Sequence, residues 1–145
     1  MDEMKIYNTL KEIYFYLDDG DRRFLGQYNL SVPRFFSLKH IREHPGISPT
    51  ELSVRMLTDK SNITRMIRGL EADDLVIRKP NATDGRAICL YLTTSGQALL
   101  DEVSARHTSF NRDRFSDFSQ DQMDLLAGLG AVSDLLADQL KLREC

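Results

Sequence analysis

From Ser48 to Thr93 the chain reads SPTELSVRMLTDKSNITRMIRGLEADDLVIRKPNATDGRAICLYLT, and the order of signals inside this run leaves few folds open. Ser48 followed three residues later by Glu51 is a capping box, with Pro49 where a first-turn proline does no harm. Leu57, Thr58 and Asp59 then form a short turn whose oxygen-bearing side chains can cap a second helix running to about Asp73. Leu75 to Lys79 and Arg86 to Leu92 read as two strands around the polar, turn-forming stretch Pro80 to Gly85. Helix, turn, helix and hairpin in this order predict a winged helix-turn-helix.

The second helix has two faces. Ile63, Met66, Ile67 and Leu70 recur at i, i+3, i+4 and i+7 and form one apolar stripe. At about 100° per residue, Ser61, Arg65 and Arg68 fall on the opposite side, with Asn62 and Thr64 on its shoulders. Arginine offers a bidentate fork to guanine, asparagine pairs with adenine, and serine or threonine bonds bases or phosphates. A buried stripe behind a cationic, hydrogen-bonding face therefore points to a groove-reading helix and to duplex DNA. Ser48 and Thr50, at the start of the preceding helix, are candidate phosphate contacts.

The ordered segments HPGISPTELSVRM, DKSNITRMIRGLE, LVIRKPNATDGRA and LYLTTSGQALL resemble the MarR family of bacterial and archaeal transcription regulators, from Leu30 to about Leu100. The resemblance implies that the second helix enters the major groove and that Asp84 and Arg86 of a D-x-R pattern act at the wing. Arg86 would reach into the minor groove while Asp84 holds its guanidinium, with Lys79 as a further wing contact. Two residues depart from the family pattern. Asp74 stands where a glycine is usual after the recognition helix, and Gly85 stands where many relatives carry a basic residue.

Charge is distributed to match. The formal net charge is −3 and the sequence pI about 5.6. Yet residues 31–86 hold ten Lys or Arg against seven Asp or Glu, a surplus of three, which leaves −6 for the remainder. A local positive patch can attract phosphates while acidic flanks discourage nonspecific adhesion. At 145 residues, without a long apolar segment or a hydrophobic signal core, the chain is expected to be a cytoplasmic protein without a membrane partner.

The flanks are amphipathic helix. Ile6, Leu10, Ile13 and Leu17 sit at helical spacing, and Asp18 to Asp21 with Gly20 is expected to break that helix. A helix from about Ser31, with Pro33 early, carries Phe35, Leu38 and Ile41 and stops at Pro45 and Gly46. Thr93 or Thr94 starts a long helix bearing Leu99, Val103 and Phe110. Ser119 and Gln122 box the start of a last helix carrying Leu126, Leu129, Val132, Leu136 and Leu140. This division predicts a DNA-binding domain over 31–93 and a helical dimerisation region over 1–30 and 94–145. The resemblance implies a twofold homodimer whose reading helices address half-sites of a pseudo-palindromic operator about 34 to 36 Å apart. It also implies a small aromatic or anionic effector in a cleft bordered by Tyr14, Tyr16, Phe24, Tyr28 and Phe36, with Arg22, Arg23 or Arg34 as anion partners.

Other chemistries find little support. No Gly-rich phosphate loop, nucleophile elbow or paired-ligand metal motif is present, so neither an enzyme nor a cofactor is expected. His40 and His44 are four apart but lack a nearby third ligand, and no metal site is assigned. Cys89 reads as a small packing residue in an apolar strand and Cys145 as a terminal thiol. The alternatives are a winged-helix protein interaction module without DNA binding, and a metal- or redox-responsive regulator.

Overall fold

The computed structural model describes residues 1–143; Cys145 lies outside them. Helices α1 (Glu3–Gly26), α2 (Val32–Glu43), α3 (Pro49–Arg55) and α4 (Lys60–Ala72) precede strands β1 (Val76–Pro80) and β2 (Ile88–Leu92). Helices α5 (Thr94–Arg114), α6 (Gln120–Ala127) and α7 (Leu129–Arg143) follow. The fold is mainly helical with one small hairpin, as the sequence predicts.

The helix starts are set by side-chain oxygens that accept otherwise orphaned amides. Ser31 caps Arg34, Ser48 caps Glu51, Asp59 caps Asn62 and Thr93 caps Gly96, at 2.8 to 3.3 Å. Ser119 and Gln122 form the full reciprocal box. The helix ends follow a different rule from the one glycine would announce. After α1, α3 and α4 the chain turns through Asn29, Leu57 and Asp74, each at a φ of 53° to 57°. In each case the amide of the next residue returns to a carbonyl five residues back: Leu30 to Leu25, Thr58 to Ser53 and Leu75 to Leu70. These are Schellman ends built without glycine. Asp74 thus adopts the left-handed conformation that a glycine would take more comfortably.

Two boundaries differ from the sequence expectation. Asp18 to Asp21 does not interrupt α1. The acidic run is stitched into the helix by ion pairs one turn on, Asp18 and Asp19 to Arg22 and Asp19 to Arg23, at 3.0 to 3.3 Å. An internal glycine costs a helix only about 1 kcal/mol, so Gly20 alone does not end it. The last helix is instead two, because α6 closes at Gly128 and α7 begins at Leu129.

The described residues form two compact units, 1–107 and 108–143. The first holds the core: Leu25, Leu30, Phe35, Leu38, Ile41, Ile47, Leu52, Ile63, Ile67, Leu70, Val76, Leu90, Leu100 and Val103 are all buried. The hairpin is antiparallel, with Val76 opposite Leu92 and Pro80 opposite Ile88. Ile47 adds a bridge to Leu90, which ties the turn before α3 to the wing. Gly96 lets α5 lie against the turn before β1, since a Cβ there would collide with the Leu75 carbonyl. In the second unit, Phe115 and Phe118 meet edge to face at 5.3 Å, and α6 packs on α7.

Candidate nucleic-acid interface

Helix α4 is anchored by the stripe read from the sequence. Ile63, Ile67 and Leu70 are fully buried and Met66 half-buried; each buried aliphatic side chain contributes about 1.5 to 3 kcal/mol. The buried Ser37 hydroxyl of α2 approaches the Met66 sulfur at 3.1 Å. With one face fixed, the other is presented to solvent: Ser61, Asn62, Thr64, Arg65 and Arg68 are all exposed.

These five side chains are not equally available. Asn62 donates to Thr58 Oγ1 and Asp59 Oδ2, both at 3.3 Å, and Thr64 donates to the Lys60 carbonyl at 2.8 Å. Ser61, Arg65 and Arg68 have no hydrogen bond or ion pair among the described residues. The two arginines are one turn apart on a dry-backed helix with their charge uncompensated, the arrangement expected of a surface that meets phosphates or base edges.

The wing loop is internally braced. Asn81 Oδ1 accepts the Thr83 amide at 2.9 Å and the Thr83 hydroxyl at 2.8 Å, and the Asn81 amide bonds the Ala87 carbonyl at 2.8 Å. Asp84 differs from its expected role. Its carboxylate accepts the Arg86 backbone amide at 3.1 Å, and no ion pair joins the two side chains among the described residues. Asp84 therefore shapes the turn that carries Arg86, whose exposed guanidinium has no ion pair among the described residues. Lys79 is exposed but its ammonium lies over the Tyr91 ring, 5.3 Å from the centroid. Ser48 spends its hydroxyl on the α3 cap, whereas Thr50 is exposed on the first turn.

A groove of about 1020 Å³ opens among α1, α2, α3 and α4. Tyr14 and Phe36 line it together with Leu17, Val32, Met56 and Met66. Three other aromatic residues assigned to this cleft lie elsewhere. Phe24 and Tyr28 pack on each other at 5.6 Å against the core, and Tyr16 is 75% exposed. Of the expected anion partners, Arg22 and Arg34 line the groove and Arg23 does not; all three are held in ion pairs, Arg22 and Arg23 with the α1 aspartates and Arg34 with Asp73 at 2.7 Å. Arg55 and Arg65 line the groove without an ion pair among the described residues and were missed as candidates for it. Arg55 lies within the HPGISPTELSVRM segment, but nothing in that segment's spacing points it toward α1, and only the fold brings the two to one groove. His40 also lines the groove; burial holds its imidazole below the ordinary 6.5, and the neighbouring Arg55, His44 and Lys39 act in the same direction against Glu43. No three described His, Cys, Asp or Glu residues are grouped closely enough to hold a metal ion, and no described helix is long and apolar enough to cross a membrane.

Residues 30–88 match the family model described as the MarR family. The HTH-type transcriptional regulator PecS of Dickeya dadantii is 28% identical over 142 residues, covering 95% of this chain and 86% of that protein. Among solved structures, the transcriptional regulator BldR from Sulfolobus solfataricus superposes with a TM-score of 0.78 at 28% identity, over 91% of this chain and 94% of the other. Streptococcus pneumoniae FabT, solved in complex with DNA, has the same fold, with a TM-score of 0.80 at 18% identity over 95% of this chain and 99% of its own.

Proposed function

Starting from a chain that belongs to the MarR family of transcription regulators, we propose that it reads a pseudo-palindromic duplex operator as a homodimer and that a small ligand modulates this reading. The observation that carries the proposal is α4, with Ile63, Ile67 and Leu70 buried behind an exposed face whose Arg65 and Arg68 have no ion pair among the described residues. In this reading Ser61, Arg65 and Arg68 face the major groove directly. Asn62 and Thr64 join them by exchanging hydrogen bonds within the helix for bonds to DNA. Arg86 enters the minor groove from the wing, on a loop that Asp84 shapes. Lys79, Ser48 and Thr50 supply phosphate contacts.

Residues 31–93 are the reading domain, and residues 1–30 and 94–145 the dimerisation region. Uncovered apolar side chains on α1 (Met4, Tyr7, Leu10) and on α7 (Val132, Leu135, Leu136) support that division, because apolar faces of this kind mark association surfaces. The groove among α1 to α4 is the candidate effector site: its lining is mainly apolar, Arg22 and Arg34 in it are paired with carboxylates, and Arg55 and Arg65 are left to meet an anion. A ligand there touches both α1 and the reading helix. A coupling of about 1 to 3 kcal/mol would change operator affinity about 5- to 150-fold.

In vitro selection from random duplexes, run with the wild type and an Arg65→Ala, Arg68→Ala, Arg86→Ala triple variant, tests the reading. Recovery of an inverted repeat with half-sites about one helical turn apart, lost in the variant, is the expected result. Absence of enrichment at low salt would overturn it in favour of a protein interaction module. Selection that survives in the triple variant would overturn the residue assignment alone.

A further inference from the structure

The carboxyl-terminal end of α4 carries the wrong charges for a helix. Glu71, Asp73 and Asp74 cluster there, and the last turn contains no basic residue. Carboxylates at that end oppose the helix dipole, which favours cations. The missing cations come from outside the helix, one on each side. Arg34 of α2 bonds Asp73 at 2.7 Å with only 23% of its side chain exposed. Arg78 of β1 approaches Glu71 at 2.6 Å; this is a close charge contact rather than an aligned hydrogen bond, since Glu71 Oε1 has no hydrogen-bond partner among the described residues.

Gly69 explains how Arg34 reaches across. A Cβ at that position would lie 2.5 Å from Arg34 Nη2 and 3.4 Å from Cζ. The guanidinium thus crosses α4 where the helix has no side chain. Glycine is a poor helix residue, and here its cost has a return in the closest available seat for a cation from α2.

We propose that Arg34 and Arg78 are positioning residues for DNA reading, fixing the end of α4 to α2 on one side and to the wing on the other. Neither needs to touch DNA. Together they set the angle between the helix that carries Arg65 and Arg68 and the strand pair that carries Arg86, and so the register of major-groove and minor-groove contacts. The proposal rests on α4 being the reading helix.

The experiment compares wild type with Gly69→Ala, Arg34→Met, Arg78→Met and the Gly69→Ala, Arg34→Met double variant. Affinities for the selected operator and for a scrambled duplex are measured over a salt series, alongside thermal midpoints. Gly69→Ala introduces a better helix former, and its only clash is with the movable end of Arg34, so it is expected to fold. The expected result is a fall of about 3- to 10-fold in the operator-to-scrambled ratio for each single variant. The salt slope is expected to stay unchanged, and Gly69→Ala to add nothing once Arg34 is Met. A slope reduced by about one in Arg34→Met or Arg78→Met would make that arginine a phosphate contact and overturn its positioning role. An unaltered ratio in folded Gly69→Ala would overturn the Arg34 arm as well.

Should the wild type select no duplex, the DNA reading falls, and the role in positioning for DNA falls with it. Hydrogen exchange separates this from failure of the clamp itself. Gly69→Ala, Arg34→Met and Arg78→Met are each expected to speed amide exchange at residues 70–75, and unchanged exchange in all three would show that no clamp exists.

Discussion

Gly96 shows how much a single position can decide. A methyl group at this residue meets the Leu75 carbonyl, a backbone atom that cannot swing aside. Gly96→Ala is therefore expected to destabilise the protein by about 1 to 3 kcal/mol, read as a lower urea midpoint with an unchanged m-value. His40 gives a pH signature of the opposite kind, acting through the unfolded state. Its folded pKa lies below the ordinary 6.5 because burial disfavours the charged ring, so the unfolded chain takes up the proton first. Stability is accordingly expected to be unaffected by this group above about pH 6.5 and to decline as pH falls below it. Urea midpoints across that interval check the sign, and His40→Gln should flatten the decline. The sequence foretold neither effect, since both depend on what the fold brings alongside. The buried faces were legible because Ile63, Ile67 and Leu70 repeat at helical spacing, and spacing is a local property.

At the scale of elements, helix starts were easier to read than helix ends. Ser31, Ser48, Asp59 and Ser119 are capping residues by type, and each caps a helix. The ends at Asn29, Leu57 and Asp74 lack the glycine that advertises a left-handed turn. The expected break at Asp18 to Asp21 does not occur because Asp18 and Asp19 each find an arginine one turn later and Asp21 meets His107. In the candidate interface, the exposed face of α4 was legible from its period. The Arg34 and Arg78 contacts were not, because Asp73 is 39 residues from Arg34 and no helical or strand period brings Arg78 back beside Glu71 through the turn after α4. The wing offers a direct test of its electrostatic part. A Cβ at Gly85 would meet nothing within 4 Å, and its backbone is not among those at positive φ. Gly85→Lys is expected to raise affinity for operator and scrambled duplex alike and to steepen the salt dependence by about one unit. A gain confined to the operator would contradict a phosphate role.

For the whole molecule, the surfaces left bare by one chain matter most. Every residue from the start of α1 to Tyr16 is exposed, including Met4, Ile6, Tyr7, Leu10 and Ile13. Four turns of apolar helix have no counterpart within residues 1–107. If a second copy covers them, a Leu10→Asp, Leu136→Asp variant should sediment as a monomer at concentrations where the wild type is a dimer. Sedimentation of both proteins as monomers would remove the dimer from the proposal. The bare half of α1 has a further consequence. Although it continues a helix anchored at Leu25, this half has no tertiary packing of its own, from which most helical stability in proteins comes, so much of its order would be acquired at the moment of pairing. Folding would then be partly a second-order process, with a melting temperature that climbs with protein concentration. Newly made chains at low copy number would sit nearest the threshold for proteolysis. The number of molecules in the cell would thereby help set how long each survives.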